Sequence, residues 1–349
     1  MPDALLLAFI FSIAALVAWA ASFAVKSIGV VDAPDGDRKF QPTPVPRLGG
    51  LAILAGIVPG LAAAALLNGL SMAGNSDSFL SADASHTPAL LLAALAFAAI
   101  GLADDISNIN AKLKLGLLCL VCIGAPLLGL RIEVLETPFG ELTILSLLIT
   151  GSALWLLTLT NAANFMDGSN GLSMGSLAIM IAGLGAAHAM STGTGFPPGL
   201  AAPLGAVAGF LVHNMRGTIY AGDIGAFALS GLFALLALVC GLSAWTVATL
   251  ALPFLVDTLL TLVLRAKRGE SLLKAHRDHA YQSLLRAGWS HCEVAVLWWG
   301  LTAACAASAS VAAAGGGALP FWLFWGLTGL LSGLWALLRI QLRHILAGR

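Results

Sequence analysis

Eleven blocks of mostly apolar residues divide the chain, at 4–25, 48–69, 88–103, 113–130, 142–160, 171–190, 198–213, 223–241, 243–264, 291–313 and 320–338. Most approach the roughly 20 residues that an α-helix needs to cross a hydrocarbon core, although 88–103 and 198–213 are short. The blocks are too long, and alternate too rarely, for barrel strands. The pattern predicts an all-α polytopic membrane protein, a single integral membrane domain over 1–349 with about 11 transmembrane helices. One connection differs. In Arg131-Ile-Glu-Val-Leu-Glu-Thr-Pro-Phe-Gly-Glu141 polar and apolar residues partly alternate around a Pro-Phe-Gly turn. That predicts a small β-hairpin on the outer surface.

Composition sharpens this picture. Apolar residues make up 59% of the chain and charged residues 10%, against about 25% charged in soluble domains, and the mean hydropathy is +0.93. A secreted domain and a disordered chain are excluded. A net charge of zero argues against a nucleic-acid partner, which requires a basic face. All but one of the 17 Lys and Arg fall in 26–47, 104–114, 214–222, 265–290 and the tail; the exception is Arg131. By the positive-inside rule the basic side is cytoplasmic. Eleven spans then put the N-terminus outside and the C-terminus inside. Lys26 follows the first apolar block instead of preceding it, as in a retained span and not a cleaved leader. The five cysteines sit in or beside apolar blocks, and Cys119-x-x-Cys122 reads as packing.

Ionisable groups at membrane depth are expensive and tend to be functional. Four polar clusters gather on the basic side. Asp104-Asp105 ends the third block, and adjacent carboxylates stay ionised together only when a cation or hydrogen-bond donors compensate them. Lys112 and Lys114 follow, as anchors or phosphate binders. In the second cluster Asn161, Asn164, Asp167 and Asn170 recur every three residues, with Gly168 and Gly171 between. Amides plus a carboxylate are hard oxygen donors, suited to Mg²⁺, sugar or phosphate. The third, His213 to Gly225, holds Asp223 between glycines at the start of a span, where a carboxylate serves as a cap or a metal ligand. The fourth, Lys274 to Gln282, carries His276, Arg277 and His279, a set able to clamp a diphosphate. It lacks the third ligand that zinc would need. Asp257, alone inside the ninth block, reads as a structural partner for a neighbouring helix.

In this order, Asp104-Asp105, Asn161-x-x-Asn164-x-x-Asp167-Gly168-x-Asn170-Gly171-Leu172, Gly222-Asp223-x-Gly225 and the histidine-bearing loop resemble the polyprenyl-phosphate N-acetylhexosamine-1-phosphate transferases, glycosyltransferase family 4. The resemblance spans about 4–340. Asp32-Ala-Pro34, Arg38-Lys39 and Pro44-Val-Pro46-Arg47-Leu-Gly49-Gly50 resemble the first cytoplasmic loop of bacterial members. The sequence looks most like the O-antigen-initiating branch. The peptidoglycan branch has three consecutive histidines in the last loop, an acid in place of Asn170 and a lysine in place of Asn108.

The resemblance implies transfer of N-acetylhexosamine-1-phosphate from a UDP-N-acetylhexosamine to undecaprenyl phosphate, with release of UMP, at a bacterial inner membrane. It implies Mg²⁺ as cofactor, with Mn²⁺ able to substitute, and Asp223 and Asn164 as its ligands. Asp104, Asp105 and Asp167 become the catalytic set, one of the adjacent pair orienting the lipid phosphate or taking its proton. Asn161, Asn170, Lys112, His276, Arg277 and His279 become substrate contacts. Membrane lipid is a further partner, and because dimers are common in the family the resemblance allows a homodimer. The rival reading is a secondary transporter with a cytoplasm-facing acidic site. No inverted repeat supports it, and the acids collect at one face instead of the midplane.

Overall fold

The computed structural model describes residues 3–34, 43–70, 86–272 and 276–347. Arg38, Lys39 and Lys274 lie outside the described residues. The chain is a bundle of helices: α1 (Asp3–Lys26), α2 (Gly49–Leu70), α3 (Thr87–Ser107), α4 (Ala111–Leu127), α5 (Leu145–Phe165), α6 (Leu172–Thr192), α7 (Ala201–Asn214), α8 (Gly222–Val239), α9 (Ala244–Leu250), α10 (Leu252–Lys267), α11 (Ala280–Arg286), α12 (His291–Gly315) and α13 (Leu319–Ala347). Two short antiparallel strand pairs complete it, β1 (Val31–Asp32) with β2 (Val45–Pro46) and β3 (Leu135–Thr137) with β4 (Gly140–Leu142).

Every apolar block is helical, but the count of eleven spans is not established. Among the described residues, eight helices are long and apolar enough to cross a membrane. A ninth span is the pair α9–α10, bent by 79° at its break. Pro253 follows the break within the first turn of α10. Its missing N–H and its ring favour a new helix start over continuation of α9. The other two blocks give helices of 17 and 14 residues, α4 and α7, shorter than a full crossing. The hairpin expected near 131–141 is present, with Thr137 paired to Gly140 across the Pro138–Phe139 turn. The β1–β2 pair has no counterpart in the sequence pattern.

Burial ranks the helices. The apolar stretch of α8 is 83% buried and that of α6 72%, against 17% for α1 and none for α13. So α8 is the central post, with α3, α5 and α2 against it. Small residues permit this. A Cβ on Gly101 of α3 would strike the Asp223 and Ile224 backbone, and one on Gly50 of α2 would strike that of Gly225. Close approach at these glycines brings the start of α8 against the end of α3, where three carboxylates meet.

Candidate active site

The site is assembled at one end of the bundle from helix ends that the sequence marks. Asn108 closes α3 in the left-handed region, at φ 45°, a conformation asparagine tolerates better than most residues. That turn carries Asp104 and Asp105 on the last turn of α3. Asn110 then caps α4 by accepting the Lys112 N–H at 2.8 Å. Gly222, at φ 72°, starts α8. Its neighbours leave no room for a side chain, because a Cβ would press on the Arg47 carbonyl and the Asp105 carboxylate.

A short backbone ladder fixes the remaining wall. The Tyr220 N–H donates to Pro46 O at 2.8 Å, and Gly49 and Gly50 donate to Tyr220 O and Ala221 O at 2.9 and 2.8 Å. This places Arg47 over the end of α3. Its guanidinium donates to the Asp105 carbonyl and, at 2.9 Å, to Asn108 Oδ1, with Nε 3.9 Å from the Asp105 carboxylate.

The carboxylates converge on one ammonium. Lys114 Nζ lies 2.9 Å from Asp104 Oδ2 and 2.7 Å from Asp223 Oδ2. Asn164 Nδ2 donates to Asp223 Oδ1 at 2.8 Å. Asp105, 3% exposed, accepts the Ile224 N–H at 2.9 Å. A cation therefore already bridges the pair that the third cluster and the first cluster supply.

Two cavities flank this junction. One, of about 330 Å³, is lined by Arg47, Asp105, Asn164, Asp167, Asn170, Tyr220, Asp223, Tyr281 and His291, among others. The other, of about 320 Å³, is lined by Lys114, Asn161, Asn164, Phe165, His276, His279 and the apolar Leu115, Leu118 and Leu272. Asn164, Phe165 and Gln282 belong to both walls. The Asn-rich cluster is thus the partition. Asn161 Nδ2 is tied to Leu157 O at 2.8 Å, and Asn214 Oδ1 receives the Gly171 N–H at 2.6 Å. The Tyr281 hydroxyl donates to Phe165 O at 2.9 Å and seats the last loop on the partition.

Charge in the two cavities differs. Burial, reinforced by the carboxylates of Asp223 and Asp105, pushes Asp167 well above the ordinary carboxylate range. Burial also pushes His276 down to about 4, with His279 and Arg265 adding to the effect. His279 is lowered, again mainly by burial. At neutral pH the two imidazoles are uncharged, with ring centres 4.9 Å apart. The positive charge lining the second cavity is that of Lys114.

Of the residues singled out from sequence, Asp105, Asn164, Asp167, Asn170 and Asp223 share the first cavity, and Asn161, Asn164, His276 and His279 the second. Asp104 joins them through Lys114. Lys112 and Arg277 line neither cavity. Lys112 is exposed on the first turn of α4. Lys114, two residues on and about 200° around the helix, is the one that faces the acids. The sequence alone does not assign Arg47, Tyr220, Tyr281 or His291 to the site. Gly49-Gly50 beside Arg47 is a signal, since paired glycines mark close backbone approach. For His291 the sequence offers none.

The donor set fits a hard divalent cation of the Mg²⁺ kind. Two carboxylates already share a cation, and the Asn164 amide can turn its oxygen toward it. Among the described residues no group of three His, Cys, Asp or Glu forms a ready metal cage. An ion that takes one or two carboxylates and completes its shell with water and substrate phosphate would need no such cage.

A family model described as glycosyl transferase family 4 matches residues 87–241. A decaprenyl-phosphate N-acetylglucosaminephosphotransferase of Mycobacterium leprae is 31% identical over 310 residues, covering 78% of this chain and 75% of its own. A probable undecaprenyl-phosphate N-acetylglucosaminyl 1-phosphate transferase of Bacillus subtilis is 27% identical, covering 76% and 72%. A phospho-N-acetylmuramoyl-pentapeptide-transferase of Synechococcus elongatus is 30% identical, covering 77% and 75%.

Proposed function

The chain belongs to glycosyl transferase family 4, and from that premise we propose that it transfers N-acetylhexosamine-1-phosphate from a UDP-sugar to undecaprenyl phosphate, releasing UMP. The observation that carries this reading is the partition itself. Asn164 separates two polar cavities while holding Asp223, and Lys114 ties Asp223 to Asp104 at the same point. A diphosphate lying across the partition meets a cation, amide donors and carboxylates able to hold a metal. The apolar side of the second cavity suits a prenyl chain.

An oxygen of the lipid phosphate attacks the β-phosphorus of the donor. The bond from that phosphorus to the bridging oxygen breaks, and UMP leaves with the electron pair. The work is positioning and charge neutralisation. A phosphate monoester, with a second pKa of about 6, is already largely ionised at neutral pH. No strong base is therefore needed, and Asp105, fixed by Arg47 and by the Ile224 N–H in the wall of the first cavity, serves to orient the acceptor phosphate where it reaches across the partition. Mg²⁺, or Mn²⁺ in its place, held by Asp223 and the Asn164 carbonyl, would neutralise the diphosphate oxygens and make UMP a better leaving group. Asp167 and Asn170 contact the donor in the first cavity, while His276 and His279 face the phosphates or the sugar in the second.

The sugar is an N-acetylated hexosamine of the kind that begins an O-antigen or related envelope polysaccharide. The loop Ala275-His276-Arg-Asp-His279-Ala-Tyr281-Gln282, Asn170 and Asn108 support this over a MurNAc-pentapeptide donor. The location is a bacterial cytoplasmic membrane, with site and C-terminus inside and N-terminus outside, supported by the distribution of Lys and Arg. Incubating the purified protein with undecaprenyl phosphate, Mg²⁺ and a panel of UDP-N-acetylhexosamines, and following UMP, tests the reading. No UMP with any donor would overturn it.

A further inference from the structure

Asp257 lies in α10, 1% exposed, outside both cavities. Its Oδ1 accepts the Ala280 N–H at 2.8 Å and the Trp335 indole N–H at 2.9 Å, joining α10 to α11 and α13. This is the structural partnership expected of it, and it leaves two groups unexplained. Asp257 Oδ2 is buried with no hydrogen-bond partner among the described residues, and so is His279 Nδ1. His279 is 2% exposed, and its Nδ1 stands 3.9 Å from Asp257 Oδ1. A hydrogen bond requires about 2.7–3.2 Å, so roughly 1 Å of movement separates the ring nitrogen from the nearer oxygen of this carboxylate, the one that Ala280 and Trp335 already hold. Leaving both unmet is costly. His279 meanwhile lines the second cavity beside His276 and Lys114.

We propose that Asp257 is a positioning residue that acts through His279: when a phosphate enters the second cavity, the ring takes up a proton, its Nδ1–H closes onto the Asp257 carboxylate and its Nε2–H donates to the phosphate. A carboxylate on one ring nitrogen stabilises the charged ring and aims the other N–H. Trp335 and Ala280 hold the carboxylate so that it cannot follow the ring. The inference rests on the reading that the second cavity receives phosphate.

A double-mutant cycle tests it. Asp257→Asn keeps an oxygen for Ala280 and Trp335 but removes the charge facing His279. It should lower kcat/KM for UMP release about tenfold or more, with no further loss when added to His279→Gln. Equal losses in both backgrounds would overturn the proposal. Trp335→Phe removes one of the two donors that hold the carboxylate but leaves the Ala280 N–H and the charge facing His279, and should cost clearly less in kcat than Asp257→Asn. A loss matching that of Asp257→Asn would make Asp257 a clamp for α13 and nothing more. If His279→Gln turns over normally, the second cavity is outside the chemistry and the proposal falls with it. A readout free of turnover is the ring ¹⁵N spectrum of His279 with inorganic pyrophosphate. Wild type should carry protons on both ring nitrogens and Asp257→Asn on one; a singly protonated ring in wild type would overturn the proposal even if no donor sugar is ever found.

Discussion

The ammonium of Lys114 lies 2.7 Å from the carboxylate of Asp223, although 109 positions separate them in the chain. The same nitrogen reaches Asp104 at 2.9 Å, so it neutralises two acids that would otherwise repel across the junction of the cavities. Lys112, on the same helix, is exposed, and its backbone N–H donates to Asn110. Lys114→Ala should therefore cost about ten- to hundredfold in kcat/KM, the equivalent of one charge-assisted hydrogen bond of about 1.5–3 kcal/mol. Lys112→Ala should change it less than about threefold, within surface-substitution effects. UMP release under saturating undecaprenyl phosphate compares the two. A greater loss from Lys112→Ala would reverse the assignment.

Asp223→Asn should abolish turnover while leaving expression and membrane insertion intact. The carboxylate receives Lys114 and Asn164 and lines the first cavity. Removing a charge that organises the diphosphate should cost about a thousandfold. Near-normal turnover at ordinary Mg²⁺ would remove Asp223 from the centre of the site.

The helical blocks and the four polar clusters are legible in the sequence because each obeys a local rule, hydrophobic length for the spans and polar spacing for the Asn-Asp run. Even the hairpin at Thr137–Gly140 announces itself by its turn residues. The break at Ala251 is not legible, although Pro253 stands beside it, because an uninterrupted apolar block looks the same whether its helix is straight or bent. Within the site, Asp105, Asn164, Asp167 and Asp223 stand out where acids and amides are costly. The sequence does not rank Lys114 above Lys112, because the choice depends on which side of α4 faces α8. Arg47 and His291 reach the site through the β2–α8 ladder and the start of α12. Those are tertiary contacts without a local signature.

Glycines at the junction give a prediction with opposite signs at two positions. Gly222 sits at φ 72°, with the Arg47 carbonyl and Asp105 where a Cβ would go. Gly222→Ala should lose about 2 kcal/mol or more from backbone strain and overlap, and should lose activity with it. Gly116, exposed on α4, has open space where a Cβ would go, with no neighbouring atom within 4 Å. Gly116→Ala should raise stability by about 0.5–1 kcal/mol, because alanine loses less entropy in a helix. Thermal unfolding of the two variants in one detergent is the comparison. A stable, active Gly222→Ala would mean that the α3–α8 contact is looser than the structure has it.

Orientation is open to labelling. Phe139, at the tip of the β3–β4 hairpin, is 89% exposed, and Cys292, near the start of α12, is exposed too. With the hairpin outside, Phe139→Cys should react with a membrane-impermeant thiol reagent added to intact cells, and Cys292 only after permeabilisation. The opposite order would reverse the orientation and with it the cytosolic origin of the donor.

The depressed His276 also sets a pH dependence of stability. Its folded value is about 4, against 6.5 unperturbed, chiefly because burial disfavours the charged ring. Between these two pH values the unfolded chain binds a proton that the folded chain refuses. Linkage then requires stability to be full above pH 6.5 and to fall as the pH drops toward 4. His279, lowered for the same main reason, contributes in the same direction. Asp278 titrates below this window: burial would raise it, but the hydrogen bond from Arg265 prevails and holds it under its ordinary value. Asp167, raised by burial, works in the opposite direction over this range, so the prediction is a difference: as the pH drops from 7 to 4.5, wild type should lose Tm relative to His276→Asn, which cannot take up a proton. Parallel Tm curves for the two proteins would show that His276 keeps its proton equally well in the folded and unfolded chain, and that the loop is more open to water than its contacts with Phe165 and His279 require.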